Sequence, residues 1–404
     1  MPRLTPLHSR VGPLCRGSRW EEWSGFLTAI SYELDHLHEY NAVRTGSALF
    51  DVSPLLKYDI RGRDAAALVN RVIVRDATKC RVNQVLYTTW CDDAGKVIDD
   101  GTVSRLADDH FRMTAAVPAL HWLQDNATGL DVEIEDTSEQ IAAVSIQGPT
   151  SRGLLQKLTK ADLPSLRFFR CMQSEVAGAP AWISRTGYTG DLGYEVFVEP
   201  QEVGKLWDSM MQLADDYQMQ PAGTLALDQA RVEAGLLLLD ADFTSASQTM
   251  FDVQKTSPYD LGLGWMVNLK KDFFVGHQAL RHEKEHGSRW QGVGLELDVT
   301  AMAKFYAEWG MPLHLPDRAW TGPVPVYADA PQTKHIGRGT SGTWSPILKK
   351  YVALARLKPE HAVLGTRVFI EEMIEAVSYS VPATVVKTPF FDPPRKKAWG
   401  SEEK

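Results

Sequence analysis

Residues 185–195 read Arg-Thr-Gly-Tyr-Thr-Gly-Asp-Leu-Gly-Tyr-Glu, the stretch of this chain with the most chemistry in it. Its glycines, at 187, 190 and 193, recur every third position. Glycine loses more backbone freedom on folding than any other residue. Such density belongs where the chain turns tightly or lets something approach it closely. The turn leads into Tyr-Glu-Val-Phe-Val at 194–198, an alternating apolar strand with one carboxylate. Tyr188 and Glu195 beside a space-clearing turn describe one wall of a site for a flat, polar ring. A tight hairpin without a ligand is the plainer alternative.

A second candidate is Gly95-Lys-Val-Ile-Asp-Asp100, two adjacent carboxylates after a turn, at the start of a strand. Consecutive strand residues point to opposite faces, so one acid can face a pocket while the other faces solvent or caps a turn. A solvated pair of turn acids competes with that reading. A third is Asp228-Gln-Ala-Arg-Val-Glu233 on a helix, where Asp228 and Arg231 are spaced to pair on one face. A surface salt bridge would explain it, although the apolar neighbours of Arg231 argue for a drier role. The histidines make no metal pattern. His36 and His38 are two apart in an expected helix, and His282 and His286 sit in Arg-His-Glu-Lys-Glu-His, a solvated helix end. No P-loop, no GxGxxG opening a βα unit and no GxSxG elbow occurs.

These residues need elements to position them. Trp20, Trp23, Phe26, Leu27 and Ile30 recur at helical spacing, which predicts a helix over 20–40. Gly46 breaks the chain into a strand that 57–60 extends and Gly62 ends, and 64–73 is a short helix. Residues 81–134 read as a meander of strands at 85–90, 97–105 and 111–116, with a helix near 119–123. A strand at 139–146 stops at Gly148-Pro149 ahead of a helix at 151–158. Helices follow at 201–214 and 224–236, and strands at 292–297, 324–327, 336–340 and 351–357. Both element types occur in blocks without strict alternation, which gives an α+β fold.

At 404 residues the chain is long enough for two or three cores. The net charge of −8 offers no basic footprint for nucleic acid. No apolar run approaches a membrane span. Cys15, Cys80, Cys91 and Cys171 lie far apart without a CxxC pair, which points to a reducing, cytoplasmic compartment and away from zinc or disulfides. The first twenty residues carry Arg3, Arg10, Arg16 and Arg19 and no acid, a transit-peptide trait; an exposed N-terminus is the preferred reading.

Taken together, the segments resemble the folate-binding aminomethyltransferase family, to which the T-protein of glycine cleavage belongs. The resemblance runs over nearly the whole chain, in order. It rests on Thr5-Pro-Leu7, Ala42-Val-Arg-Thr-Gly46, Leu49-Phe-Asp-Val-Ser53, Gly95 to Asp100 and Ile146-Gln-Gly-Pro149. It continues through Thr186-Gly-Tyr-Thr-Gly190 with Gly193-Tyr-Glu195, Arg231-Val-Glu-Ala-Gly235, Leu263-Gly-Trp265 and Phe274-Val-Gly276. It ends at Thr340-Ser-Gly-Thr-Trp-Ser-Pro346 and Ala353-Leu-Ala355. The resemblance implies a three-domain cloverleaf around a central channel holding tetrahydrofolate, with a mostly β C-terminal domain. The domains expected are 1–50 with 135–270, then 51–134, then 271–404. It implies Asp99 as the catalytic acid and Glu195 as the glutamate that holds the pterin. Arg231 matches a folate-contacting arginine, Tyr87 and Tyr188 match tyrosines lining the pocket, and Trp265 matches an aromatic near it. No metal is implied. A pterin edge offers adjacent N–H donors to a carboxylate, its ring suits aromatic walls, and the carboxylates of folate suit an arginine.

The departures fall where a substrate would vary. Ala116 stands where the family carries Asn, and Ser53-Pro-Leu-Leu-Lys57 replaces the Ser-His-Met of T-proteins. The loop over 240–253 is longer and more polar than its T-protein counterpart. These features are similar to the family's demethylase branch. The expected function is therefore a tetrahydrofolate-dependent one-carbon transferase that demethylates a small methylated donor. Alternatives are aminomethyl transfer from a lipoylated carrier protein, a non-catalytic iron–sulfur assembly factor, and a folate-coupled domain serving an amine oxidase. The assembly factors carry a Lys-Gly-Cys-x-x-Gly-Gln-Glu motif that this sequence lacks.

Overall fold

The computed structural model describes residues 2–398, which divide into two compact units: 2–90 with 99–230 and 392–398, and 91–98 with 231–391. The first unit holds two larger sheets and a small three-stranded one in the order Arg3–Leu4, Phe26–Ala29 and Trp20–Trp23. The largest has six strands in the order Cys171–Val176, Ala179–Ser184, Gly193–Val198, Ala142–Gln147, Ser47–Asp51 and Met219–Pro221. Only the last strand pairs parallel. The central Ala142–Gln147 is buried along its whole length, and its unbroken small and apolar residues suit a strand covered on both faces. One face packs on Leu154, Leu155, Val203, Leu206, Trp207 and Met210 from the helices Ser151–Leu158 and Pro200–Met211. The other packs on Tyr40 and Val43 of the helix Leu37–Thr45, and on Ala226 and Ala230.

The five-stranded sheet has the order Gln84–Cys91, Val97–Ala107, His110–Ala115, Leu56–Arg61 and Glu133–Asp136. The six- and five-stranded sheets are tied together beside Asn83 and Val85. Val85 N donates to Phe169 O, Cys171 N to Asn83 O and Arg185 N to Arg170 O. The strand carrying Tyr87 is thus tied to the entry of the glycine-rich turn.

In the second unit six antiparallel strands close a barrel: Gln291–Leu297, Lys350–Leu357, His335–Ser345, Trp320–Tyr327, Arg367–Ile374 and Val377–Val386. Leu295, Val326, Ile336, Ala353, Val368, Ile370 and Val381 fill its core. The α+β reading and the mostly β C-terminal region hold.

Several expectations need correction. Residues 20–40 are not one helix. Trp20–Trp23 and Phe26–Ala29 form a hairpin around Ser24 and Gly25, both at positive φ (48° and 83°). That two-residue turn matches the twist of paired strands, and it outweighs the helical spacing of the aromatics. Nor does residue 57 extend the strand of residue 47. Ser47–Asp51 and Leu56–Arg61 lie in different sheets, because Pro54 has no N–H to continue a ladder. The hairpin of Cys171–Val176 with Ala179–Ser184, the helix Val299–Glu308 and the last two barrel strands are additions. Leu7 is fully buried in the main core, and Arg3–Leu4 pairs with Phe26–Ala29, so the opening residues belong to the folded unit. Among the described residues no helix is long and apolar enough to cross a membrane, and all four cysteines are buried thiols.

Candidate functional site

Asp99 and Asp100 sit on the strand Val97–Ala107, and the alternation separates them as expected. Asp99 is fully buried while Asp100 is half-buried. One Asp99 oxygen accepts the N–H of Ala116 (2.8 Å) and of Val117 (2.8 Å), and the other accepts the N–H of Asp100 (2.8 Å). Among the described residues no ion pair reaches it. Burial, and then the neighbouring Asp100 carboxylate, push its pKa up to about 7 against the pull of those three N–H groups. A carboxyl in that range gives up or takes a proton near neutral pH. Ala116, the departure from the family's Asn, supplies a backbone N–H to this acid, which any side chain there would permit.

Tyr87 is the link to the turn. Its hydroxyl donates to Asp100 Oδ2 (2.6 Å). Burial, then Asp100, Tyr188 and Asp99 in that order, hold the phenol protonated well above its ordinary range. Tyr87, Asp99, Asp100 and Tyr188 are therefore close enough to feel one another's charge. Tyr58, which sequence reasoning passed over, belongs here as well. Its hydroxyl accepts the N–H of Ala119 (3.0 Å), and Asp99 acts on it through space.

Within the glycine-rich turn the structure changes the reading of the glycines. A Cβ on Gly187 or on Gly193 would stand 2.1 Å from Gln147 Oε1. What approaches the backbone at both positions is the Gln147 side chain. Its amide nitrogen donates to Ser145 Oγ (3.0 Å) and Thr186 O (3.1 Å), and its oxygen accepts from Thr189 Oγ1 (3.0 Å). The turn is wrapped around a buried glutamine, and the wrapping places Thr186. The Thr186 hydroxyl donates to Glu195 Oε2 and lies 2.8 Å from Ser184 Oγ. Glu195 pairs across the sheet with Ser145 and Ser184, so these polar side chains share one face. Burial raises its pKa, against the Thr186 bond. Its second oxygen accepts no hydrogen bond from the described residues. No signal in spacing or composition marks Gln147, since a glutamine closing an apolar strand looks like an ordinary turn residue.

The turn is also clamped at its far end. Arg395 grips Asp191 with two bonds of 2.7 Å, and Arg44 lies 3.6 Å from the same carboxylate. Arg185 donates to the carbonyls of Arg395, Lys396 and Ala398.

Two expected site residues lie in the second unit. Arg231 is fully buried; its guanidinium donates to Asp242 and to Ser341 Oγ (2.8 Å). Asp242 also accepts from Thr340 Oγ1 and the N–H of Leu238. The polar loop over 240–253 thus anchors through Asp242, while Met250 at its tip is 92% exposed. Trp265, in the turn Gly264–Met266, is 66% exposed. His282 and His286 stack, with centroids 4.0 Å apart, at the end of the helix His277–His286.

Comparison with known proteins agrees with this architecture. Residues 14–271 match the family described as GCVT N-terminal domain, and residues 312–392 match the glycine cleavage T-protein C-terminal barrel domain. An aminomethyltransferase of Thermoanaerobacter sp. (strain X514) is 32% identical over 355 residues, 86% of this chain and 88% of that protein. A trimethylamine-oxide aldolase of Ruegeria pomeroyi is 32% identical over 411 residues. That match takes in 98% of this chain but spans only 48% of the aldolase. The crystal structure of the glycine cleavage system aminomethyltransferase T from Bartonella henselae superposes with a TM-score of 0.81 at 22% identity, over 97% of this chain and 99% of that one.

Proposed function

We propose, for a chain that belongs to the glycine cleavage T-protein (GCVT) family, that it is a tetrahydrofolate-dependent one-carbon transferase acting on a small methylated donor. The observation that carries this reading is Asp99: an acid with a pKa of about 7, fixed by three backbone N–H groups and linked through Asp100 and Tyr87 to Tyr188. The residues fit a pterin. Glu195 offers a carboxylate with one oxygen committed to Thr186 and one open, which suits adjacent N–H donors. Tyr87 and Tyr188 offer flat walls.

When bound, tetrahydrofolate supplies the nitrogen nucleophile that accepts the one-carbon unit. The chain's own residues do the rest. Glu195 holds the pterin edge and is itself held by Thr186, which Gln147 positions. Asp99 takes or returns a proton at its carboxylate. Tyr87 and Asp100 keep a second negative charge beside it, which adds to burial in raising its pKa. Trp265 belongs to the proposed folate-contacting set. Arg231 enters that set in a narrower role, since its guanidinium is already ion-paired with Asp242. We propose the division into 1–50 with 135–270, 51–134 and 271–404 as the functional one, and the cytoplasm as its compartment.

The test is a panel of methylated amines, sulfonium compounds and aryl ethers incubated with tetrahydrofolate, read as methyl- or methylene-tetrahydrofolate. The demethylase reading draws on the relative named for trimethylamine oxide. The relatives named aminomethyltransferase favour a second reading, transfer from a lipoylated carrier protein. Ammonia release that requires such a carrier in a glycine-cleavage reconstitution would select it. Absence of any folate product in both assays would sink the transferase reading.

A further inference from the structure

The barrel of the second unit carries a pair of arginines on its outer face. Arg356 and Arg338 are register partners on the antiparallel strands Lys350–Leu357 and His335–Ser345. Ala355 and Leu357 fill the barrel core, so strand alternation sends Arg356 outward, and Arg338 with it. The same row of the sheet continues to Gly292 on one side and Pro325 on the other. Neither has a side chain that can accept a hydrogen bond. Like charges directly opposite on paired strands repel, and this row holds nothing to neutralise them.

Arg356 is also deeply buried, with 6% of its surface exposed. The chain over 257–263 closes on the strand beside it: a Cβ on Gly292 would stand 2.5 Å from Leu261 O. Its Nε and Nη1 are buried without a hydrogen-bond partner. Among the described residues no carboxylate pairs with Arg356 or with Arg338. Asp260 and Asp242 act on Arg356 through space, and both are committed elsewhere. Asp260 accepts the N–H groups of Ser257 (3.0 Å) and Trp290 (3.0 Å), and Asp242 accepts from Arg231, Thr340 and Ser341. Burial, and then Arg338, pull the pKa of Arg356 down to about 10 against those two carboxylates. Burial, and then Arg289, lower that of Arg338. The three cations thus step from the buried Arg356 through the half-buried Arg338 to the exposed Arg289.

A buried guanidinium ordinarily has a partner, because leaving its donors and charge uncompensated is costly. With Asp242 already paired to Arg231, three arginines against Asp260 leave an excess of two positive charges. A cation would be repelled, and a neutral ligand would leave that excess in place. An oxyanion suits the guanidinium fork, and a doubly charged one cancels the excess. We propose that Arg356, Arg338 and Arg289 form a binding site for a phosphate group, free or as the monoester of a small molecule. The site shares no residue with the Asp99 machinery and stands without folate and without the transferase reading.

The experiment is calorimetric titration of the protein in a phosphate-free buffer with inorganic phosphate and with methyl phosphate. Acetate serves as the singly charged control. Both phosphates bind at one site and acetate does not, and the tighter of the two tells free phosphate from a monoester. Arg338→Gln weakens phosphate binding by about tenfold or more, and Arg289→Gln by about three- to tenfold. Both positions reach solvent, and melting curves establish that the variants fold. Arg356→Met, which removes the buried charge and keeps the length, abolishes binding where it folds. No phosphate binding, acetate binding as tight as phosphate, or an unchanged affinity in a folded Arg338→Gln protein overturns the site. None of these outcomes bears on folate turnover.

Discussion

Asp59 and Asp99 lie in the same five-stranded sheet, and both are shielded from water. Their acid strengths diverge. Burial works to raise both. Around Asp59 the His110 and Arg112 side chains reverse it: Arg112 donates twice (2.7 and 3.0 Å), His110 lies at 3.0 Å, and Arg61 adds a bond of 2.6 Å. The Asp59 carboxyl is held well below the usual carboxylate range. Asp99 has three uncharged N–H donors and a second acid beside it, and rises to about 7. Burial alone therefore says nothing about whether an acid is structural or chemical. The charge on its partners decides, because cations reward the ionised form and a like charge penalises it.

Substitution should separate the two most sharply in turnover. Asp99→Asn is expected to lower kcat by about 10²- to 10⁴-fold with folate affinity little changed. Asp59→Asn should leave kcat per folded molecule intact. Steady-state kinetics with a folate titration checks both, and full activity in Asp99→Asn would erase the distinction. The wild-type rate should also show a limb near pH 7, from the pKa of Asp99.

Stability should reverse the order. Asp59→Asn strands Arg112 beside an amide and should cost about 3–5 kcal/mol, read from urea midpoints at pH 7.5. The sign with pH differs between the acids. The depressed Asp59 contributes stability above its unfolded pKa, and that contribution is lost as pH falls through the carboxylate range. The raised Asp99 favours the folded state while protonated. Its contribution is complete at acid pH and is lost as pH rises from about 4, its unfolded value, through about 7. A stability gap between wild type and Asp59→Asn that grows on acidification would contradict this assignment.

A smaller effect tests the third carboxylate. Gly193→Ala puts a Cβ 2.1 Å from Gln147 Oε1, so turn or glutamine must move. Strain of about 1–3 kcal/mol is expected, read as weaker folate binding through a displaced Thr186–Glu195 pair. Combining it with Gln147→Ala should recover part of the loss, since the two side chains compete for one space. Strict additivity would show that the glycine serves another neighbour. The smallest effect belongs to Arg395→Ala at the partly exposed end of the turn, where Arg44 remains beside Asp191. A loss below about 1 kcal/mol in thermal unfolding is expected.

Much of the frame was legible in the sequence because it is locally encoded. The meander over 81–134, the helix at 151–158 and the strand into Glu195 follow from alternation and turn residues within a few positions. The separation of Asp99 from Asp100 follows from strand geometry alone. Where reading failed, two local signals competed. Helical spacing over 20–30 lost to a Ser-Gly turn, and apparent continuity from 47 to 60 lost to Pro54.

By itself the sequence determined the family, the order of its motifs and the pair of acids at 99 and 100. These are matters of residue type and spacing, and they survive any detail of packing. Only the tertiary structure decided what the glycines are for, and which acid carries a shifted proton. Gln147 lies about forty residues from the turn it fills, and Asp99 takes its N–H groups from a strand end at 116 and 117. Space and electrostatic environment are set by atoms brought together from distant positions, so no window of sequence contains them. The run at 185–195 announced a close approach, and the fold supplied the glutamine that makes it.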